Sequence, residues 1–317
     1  MLTAASVILP VIAIIALGFF LVRVTLFTPD QNTVLNKFVF MIAAPALLFR
    51  NVAITEFPET TPWGLWLSYY LVMFGCMAVS IGLARLLLQR RSVADCVVIG
   101  FGSSFSNTVM LGIPIILTAF GEAAALPLFL VLAFHGLLIF STGILLMELS
   151  ASSSRSLRGA ISALPQALSN QTVLIALLAG VVWNMSGLNL PGPADKFLHI
   201  LGQAAIPLAL VAIGGTLATV SVRRSIGVAA YMSVFKLAVQ PAATFVVASL
   251  VFDLSPLWVA TITLLSAMPT GVLTSVLAEQ YRSAPGAASS SIMVSSIAGI
   301  ATLSFWLIFF APLLRGQ

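Results

Sequence analysis

The chain has 317 residues, of which 60% are hydrophobic and only 7% charged, with a net charge of +5. A soluble domain carries about 25% charged residues, and a water-facing protein of this length could not hide so much apolar surface, so the surrounding solvent is lipid. The basic residues are scattered rather than striped, which excludes a nucleic-acid interface, and Cys76 and Cys96 have neither disulfide nor zinc spacing.

Hydropathy predicts an all-α polytopic membrane protein with ten transmembrane helices, at about 5–27, 33–53, 63–88, 95–120, 124–148, 170–187, 198–220, 225–252, 255–281 and 286–314. The start lacks a basic n-region and its first apolar run is long enough to span, so no cleavable signal is expected. Several spans exceed the roughly 20 residues needed to cross, which leaves room for tilt or a break. Most connections are short and marked by Pro, Gly, Asp or Asn. The exception is a serine-rich linker at 150–169, with five spans on either side. An odd number of spans per half inverts the second half, giving two inverted repeats at 1–149 and 170–317.

In chain order, the first conspicuous stretch is an Ala/Leu-rich part of span 2 that carries Pro45. The outer end of span 3 holds Trp63, Trp66, Tyr69 and Tyr70, as an interfacial aromatic belt would. Span 4 contains Phe101 to Pro114, with five hydroxyl or amide side chains, two glycines and a proline. In hydrocarbon every freed backbone group costs several kcal/mol, so such a stretch survives only where protein or a cavity covers it. It reads either as a kinked helix packed through small residues or as the broken helix where a secondary transporter holds its substrate. Span 9 favours the second reading, because Ala267-Met-Pro-Thr-Gly271 interrupts it in the same manner. Asn107 and Thr108 map onto Pro269 and Thr270 at an offset of 162 residues, and the same offset maps Pro45 onto Pro207. Paired interrupted helices in the two halves point to a binding site.

Lys236 lies midway along span 8, with Gln240 on the same helical face and Pro241 freeing a carbonyl one turn back. A charge within a membrane faces a cavity or a partner, unless the side chain snorkels to the interface; the interior reading is adopted here. His135, mid-span in span 5, is either a hydrogen-bonded core histidine or a proton relay. A serine-hydrolase reading of Gly102-Ser-Ser104 with His135 has no supporting motif or spacing, and no enzyme activity is expected. Without a His/Asp/Glu cluster at ligand spacing, no metal or cofactor is expected either.

Loops after odd-numbered spans hold Arg23, Lys37, Arg85, Arg90, Arg91, Arg155, Arg158, Arg223, Arg224 and Arg282, while the other side holds Arg50, Lys196 and Arg315. Ten against three places the odd-numbered loops, and the 150–169 linker, in the cytoplasm and both termini outside.

Ser106-Asn-Thr-Val-Met-Leu-Gly-Ile-Pro114, Ile206-Pro-Leu-Ala-Leu210 with Gly214-Gly-Thr-Leu-Ala218, and Ala267-Met-Pro-Thr-Gly271 with Ala278 and Tyr281 occur in an order that resembles the bacterial branch of the auxin efflux carrier family. The likeness covers nearly the whole chain. It implies two inverted five-helix repeats in which helices 4 and 9 break and cross, a scaffold of helices 1, 2, 6 and 7, and a transport domain of helices 3–5 and 8–10. It also implies an elevator-like secondary transporter of small organic anions in the bacterial inner membrane, with periplasmic termini. Substrates of that family are indole acetate in plants and malate- or malonate-like carboxylates in bacteria. A homodimer through the scaffold follows by analogy.

The substrate site expected from these residues is lined by Asn107, Thr108, Pro114, Pro269 and Thr270, with Pro45 and Pro207 shaping the facing wall. Support or coupling falls to Lys236, Gln240 and His135. Backbone N–H groups opening each second half-helix suit a carboxylate, and Pro114 is where span 4 should be interrupted. Two rival readings remain. One is a sodium-coupled symporter of bile-acid type, against which Glu279 lies about ten residues, or roughly 15 Å of helix, beyond Pro269. The other is a non-transporting sensor on the same fold.

Overall fold

The computed structural model describes residues 2–55, 62–88, 91–151, 172–219 and 225–314, and every regular element among them is helical. In chain order these are α1 (Leu2–Arg23), α2 (Pro29–Ile54), α3 (Trp63–Leu87), α4 (Val93–Ser104), α5 (Ile113–Phe120), α6 (Ala125–Ala151), α7 (Thr172–Met185), α8 (Gly192–Thr219), α9 (Ile226–Val251), α10 (Pro256–Ala267), α11 (Leu273–Gln280), α12 (Pro285–Phe309) and the single turn α13 (Ala311–Leu314). Among the described residues six runs are long and apolar enough to cross a membrane: α2, α3, Thr108–Ser150, α8, α9 and α12. Leu9–Arg23, Val93–Ser104, Ile175–Met185 and Pro256–Ala267 are shorter apolar helices. The linker expected at 150–169 lies outside the described residues beyond Ala151.

Helix starts follow local chemistry. Thr28 with Gln31, and Ser92 with Asp95, form capping boxes that satisfy the first orphan N–H groups of α2 and α4. Helix α8 begins at Gly192, six residues before the expected edge at 198, because Pro193 is preorganised for a first turn. Three prolines inside the spans leave the same mark, whereas Pro10 and Pro207 sit in unbroken α-helix. The π turns Val39–Ala43, Thr108–Gly112 and Phe235–Val239 each end two residues before Pro45, Pro114 and Pro241. A proline offers no N–H, and its ring crowds the carbonyl four residues back. Widening one turn relieves both: Ala44 N–H reaches back to Val39 O, and Gln240 N–H to Phe235 O.

The chain divides into two compact units. The first holds α1, α2, α5, the start of α6, α7 and α8. Within it α1 lies close along α8, where a Cβ on Gly18 would fall 2.0 Å from the Val211 carbonyl oxygen. Small residues of this kind let membrane helices approach backbone to backbone. The bidentate pair Arg50–Asp195 ties α2 to α8 at 2.7 and 3.2 Å. The second unit holds α3, α4, the rest of α6 and α9 to α12.

Surface and interior are arranged for lipid. Large apolar side chains stand exposed along the helices, among them Leu71, Leu86, Val182, Leu250 and Phe305. Hydroxyls of the second unit go inward instead: Ser80, Ser103, Thr244, Thr263, Ser266, Thr274, Ser291 and Ser295 are completely buried. Two aromatic residues correct the expected belt. Trp63 is exposed, but Tyr69 and Tyr70 are buried, stacked edge to face with centroids 5.3 Å apart. Their position on α3 turns them toward the interior of the unit rather than the membrane surface.

Candidate functional site

The two interrupted helices meet at their breaks inside the second unit. Helix α4 ends at Ser104 because Phe105 turns extended, at φ −78° and ψ 114°. Helix α10 ends at Ala267, where Met268 takes φ −61° and ψ 146°. Ser106 and Thr270 then face each other as an isolated antiparallel bridge. Asn107 N–H donates to the Pro269 carbonyl and Gly271 N–H donates to the Phe105 carbonyl, both at 2.8 Å. Two breaks that would each strand polar backbone in hydrocarbon therefore satisfy one another. Span 4 is interrupted here, seven residues before Pro114, and not at Pro114 as expected. That proline is absorbed by the π turn ahead of it.

Side chains complete the junction. Thr270 Oγ1 donates to the Gly102 carbonyl at 3.0 Å, and Thr270 N–H donates to Ser295 Oγ at 3.0 Å. A Cβ on Gly271 would lie 2.3 Å from the Phe105 ring, so only glycine lets the two strands come this close. Tyr69 of α3 sits beside the Ser106 side chain. Tyr69, Ser106, Ser295 and Gly102 were not among the expected site residues. Nothing local pointed to Ser295, and Tyr69 reads locally as part of an interfacial belt.

The N–H groups of Asn107, Thr108, Thr270 and Gly271 all have partners within the protein, which narrows the backbone available to an anion. Asn107 differs from its neighbours at the side chain. It is 7% exposed, and its amide makes no hydrogen bond to any described residue. Thr108 and Pro269 are buried beside it along the same bridge.

Lys236 lies wholly inside the unit, on the π turn of α9. Its Nζ donates to Gln240 Oε1 at 2.7 Å and to the Ser266 carbonyl at 2.5 Å. Ser266 belongs to the last turn of α10 before the break, so the cation sits at the negative end of that half-helix. The expected face shared with Gln240 is present, and the partner left open by the sequence is this carbonyl. Lys236 does not snorkel.

Pro45, Pro207, Pro114 and His135 belong to the first unit. Pro45 is half-buried on α2 and Pro207 is exposed inside α8. Their neighbours Ala44, Leu47, Ala205, Ile206 and Ala209 line a small cavity of about 10 Å³ together with Val109 and Met110. Pro114 and His135 are buried in α5 and α6. Glu279 is exposed at the far end of α11.

The fold and its paired breaks define a multi-pass helical membrane protein with a polar junction in its interior. Residues 3–307 match the membrane transport protein family. The chain belongs to that family, the auxin efflux carrier family, whose members are transporters and not enzymes. It is 27% identical over 299 residues to a Rhizobium meliloti (strain 1021) protein named "Putative malonate transporter", covering 94% of this chain and 93% of that one. It is 25% identical over 308 residues to the uncharacterized transporter YfdV of Escherichia coli (strain K12), covering 94% and 95%. To auxin efflux carrier component 8 of Arabidopsis thaliana it is 25% identical over 348 residues, covering 94% of each chain.

Proposed function

We propose that the protein is a secondary transporter of a small organic anion, a dicarboxylate such as malonate or malate, and that the anion binds at the paired breaks. The observation that carries this is the side-chain amide of Asn107, which makes no hydrogen bond to any described residue and keeps the residue's 7% exposure, beside a break whose backbone donors are already satisfied. An accessible amide N–H next to a buried, apolar wall can donate a charge-assisted hydrogen bond to a carboxylate oxygen, worth about 1–3 kcal/mol. First-turn N–H groups beyond each break add positive potential without a charged side chain. The names of the relatives from Rhizobium and Arabidopsis support a carboxylate substrate.

In this reading the ten helices form two inverted five-helix repeats. Helices 3–5 and 8–10 carry the anion, and helices 1, 2, 6 and 7 form the scaffold, with Pro45 and Pro207 shaping its wall. An elevator-like movement belongs to this reading; one compact unit gathers helices 1, 2, 6 and 7, together with residues 109–136 of helices 4 and 5. The protein sits in the bacterial inner membrane with both termini periplasmic, as a homodimer through the scaffold.

Uptake of radiolabelled malonate, malate and indole acetate into proteoliposomes tests the reading, with equilibrium binding of the transported anion alongside. Asn107→Ala should weaken that binding by about 1–3 kcal/mol, roughly 5- to 150-fold. Wild-type behaviour of Asn107→Ala in both assays would move the site elsewhere. Binding without uptake would make the protein a sensor.

A further inference from the structure

Moving an anion does not in itself require a cation buried at Lys236. The surroundings of Lys236 Nζ are those of a bound metal cation rather than of an ion pair. Its acceptors are two neutral carbonyl-type oxygens, from Gln240 and Ser266. Among the described residues no carboxylate comes within 4 Å of it. One acceptor is the backbone at the carboxyl end of a broken half-helix, where transporters with discontinuous helices coordinate sodium or protons. Further oxygens share these faces. Ser233 and Thr244 sit at helical spacing from Lys236 and Gln240 on α9, and Thr263 lies one turn before Ser266 on α10. Ser233 Oγ, Thr244 Oγ1 and Thr263 Oγ1 are all buried and without a hydrogen-bond partner, so they lie outside the two bonds that Nζ makes, and Gln240 Nε2 is unpartnered as well. Orphaned oxygens of that kind call for a water or an ion.

We propose that Lys236 is a tethered substitute for a coupling cation: its protonated Nζ fills an oxygen-lined seat at the end of α10, so the protein works without sodium, and removing the side chain opens that seat to a sodium ion. The idea rests on the transport reading for its uptake arm and on geometry alone for its stability arm. Oxygen ligands favour hard cations, and the seat offers no carboxylate to attract a divalent one. A monovalent ion is therefore the substitute to test.

The purified protein is melted in sodium, potassium and choline chloride at equal ionic strength, as wild type, Lys236→Ala and Lys236→Gln. Wild type should melt at one temperature in all three salts. Lys236→Ala should melt lower in choline and recover saturably with sodium. Malonate uptake by wild-type proteoliposomes should be equal with sodium or choline outside. A sodium-dependent rise in wild-type melting or uptake would overturn the proposal, as would a folded Lys236→Ala indifferent to sodium. Recovery of folded variants only when sodium is present throughout purification supports it; failure to recover either variant in any salt overturns the exchange of one cation for another. If no carboxylate is taken up, the transport reading falls while the melting comparison still stands.

Discussion

At the scale of single residues, the junction is held by groups that have ordinary chemistry and unusual positions. Thr270 shows this best. Its hydroxyl serves a carbonyl released by the end of α4, 168 residues away in sequence. Thr270→Val keeps the shape and removes the donor, leaving Gly102 O buried and unmet. The expected cost is about 1–3 kcal/mol of stability, read as a lower melting temperature of the purified protein. Because that hydroxyl donates to protein, the same change should weaken anion binding less than Asn107→Ala does. An equal or larger loss of binding in Thr270→Val would show that the hydroxyl touches substrate. Asn107 was legible in the sequence because an amide in an apolar span is costly wherever it lies. Its lack of a partner was not, since that depends on what the rest of the fold brings near.

At the scale of elements, both broken helices were visible from composition, while the place of the break in span 4 was misjudged. Proline suggested Pro114, yet a proline can be carried by one widened turn, and three of them are. What stops α4 is the extended backbone at Phe105, which is stable there because α10 supplies a partner strand. That pairing depends on Gly271. Gly271→Ala would place a methyl against the Phe105 ring and should cost about 1–3 kcal/mol through overpacking. Shortening the obstruction with Phe105→Leu should restore part of the loss, so melting of the single and double variants measures the coupling directly. Additive effects would mean the two strands tolerate separation.

For the whole molecule, the ten-to-three distribution of basic residues predicts a cytoplasmic face for the loops after odd-numbered spans. Two exposed residues make the test. In a background lacking Cys76 and Cys96, Asn189→Cys should react with an impermeant maleimide added to outer-permeabilised cells, and Gln31→Cys should react only after lysis. The opposite pattern would invert the molecule in the membrane.

The apolar spans, the presence of an interruption in spans 4 and 9 and a lysine inside span 8 were legible in the sequence alone, because each is a local cost: apolar surface demands lipid, and polar groups in lipid demand cover. Tertiary structure decided who provides that cover. It joined Asn107 to Pro269 and Gly271 to Phe105, turned Tyr69 and Tyr70 inward, and gave Lys236 the Ser266 carbonyl. Those partners lie far apart in the chain, and a hydrogen bond selects its acceptor by distance in space, on which composition and spacing are silent.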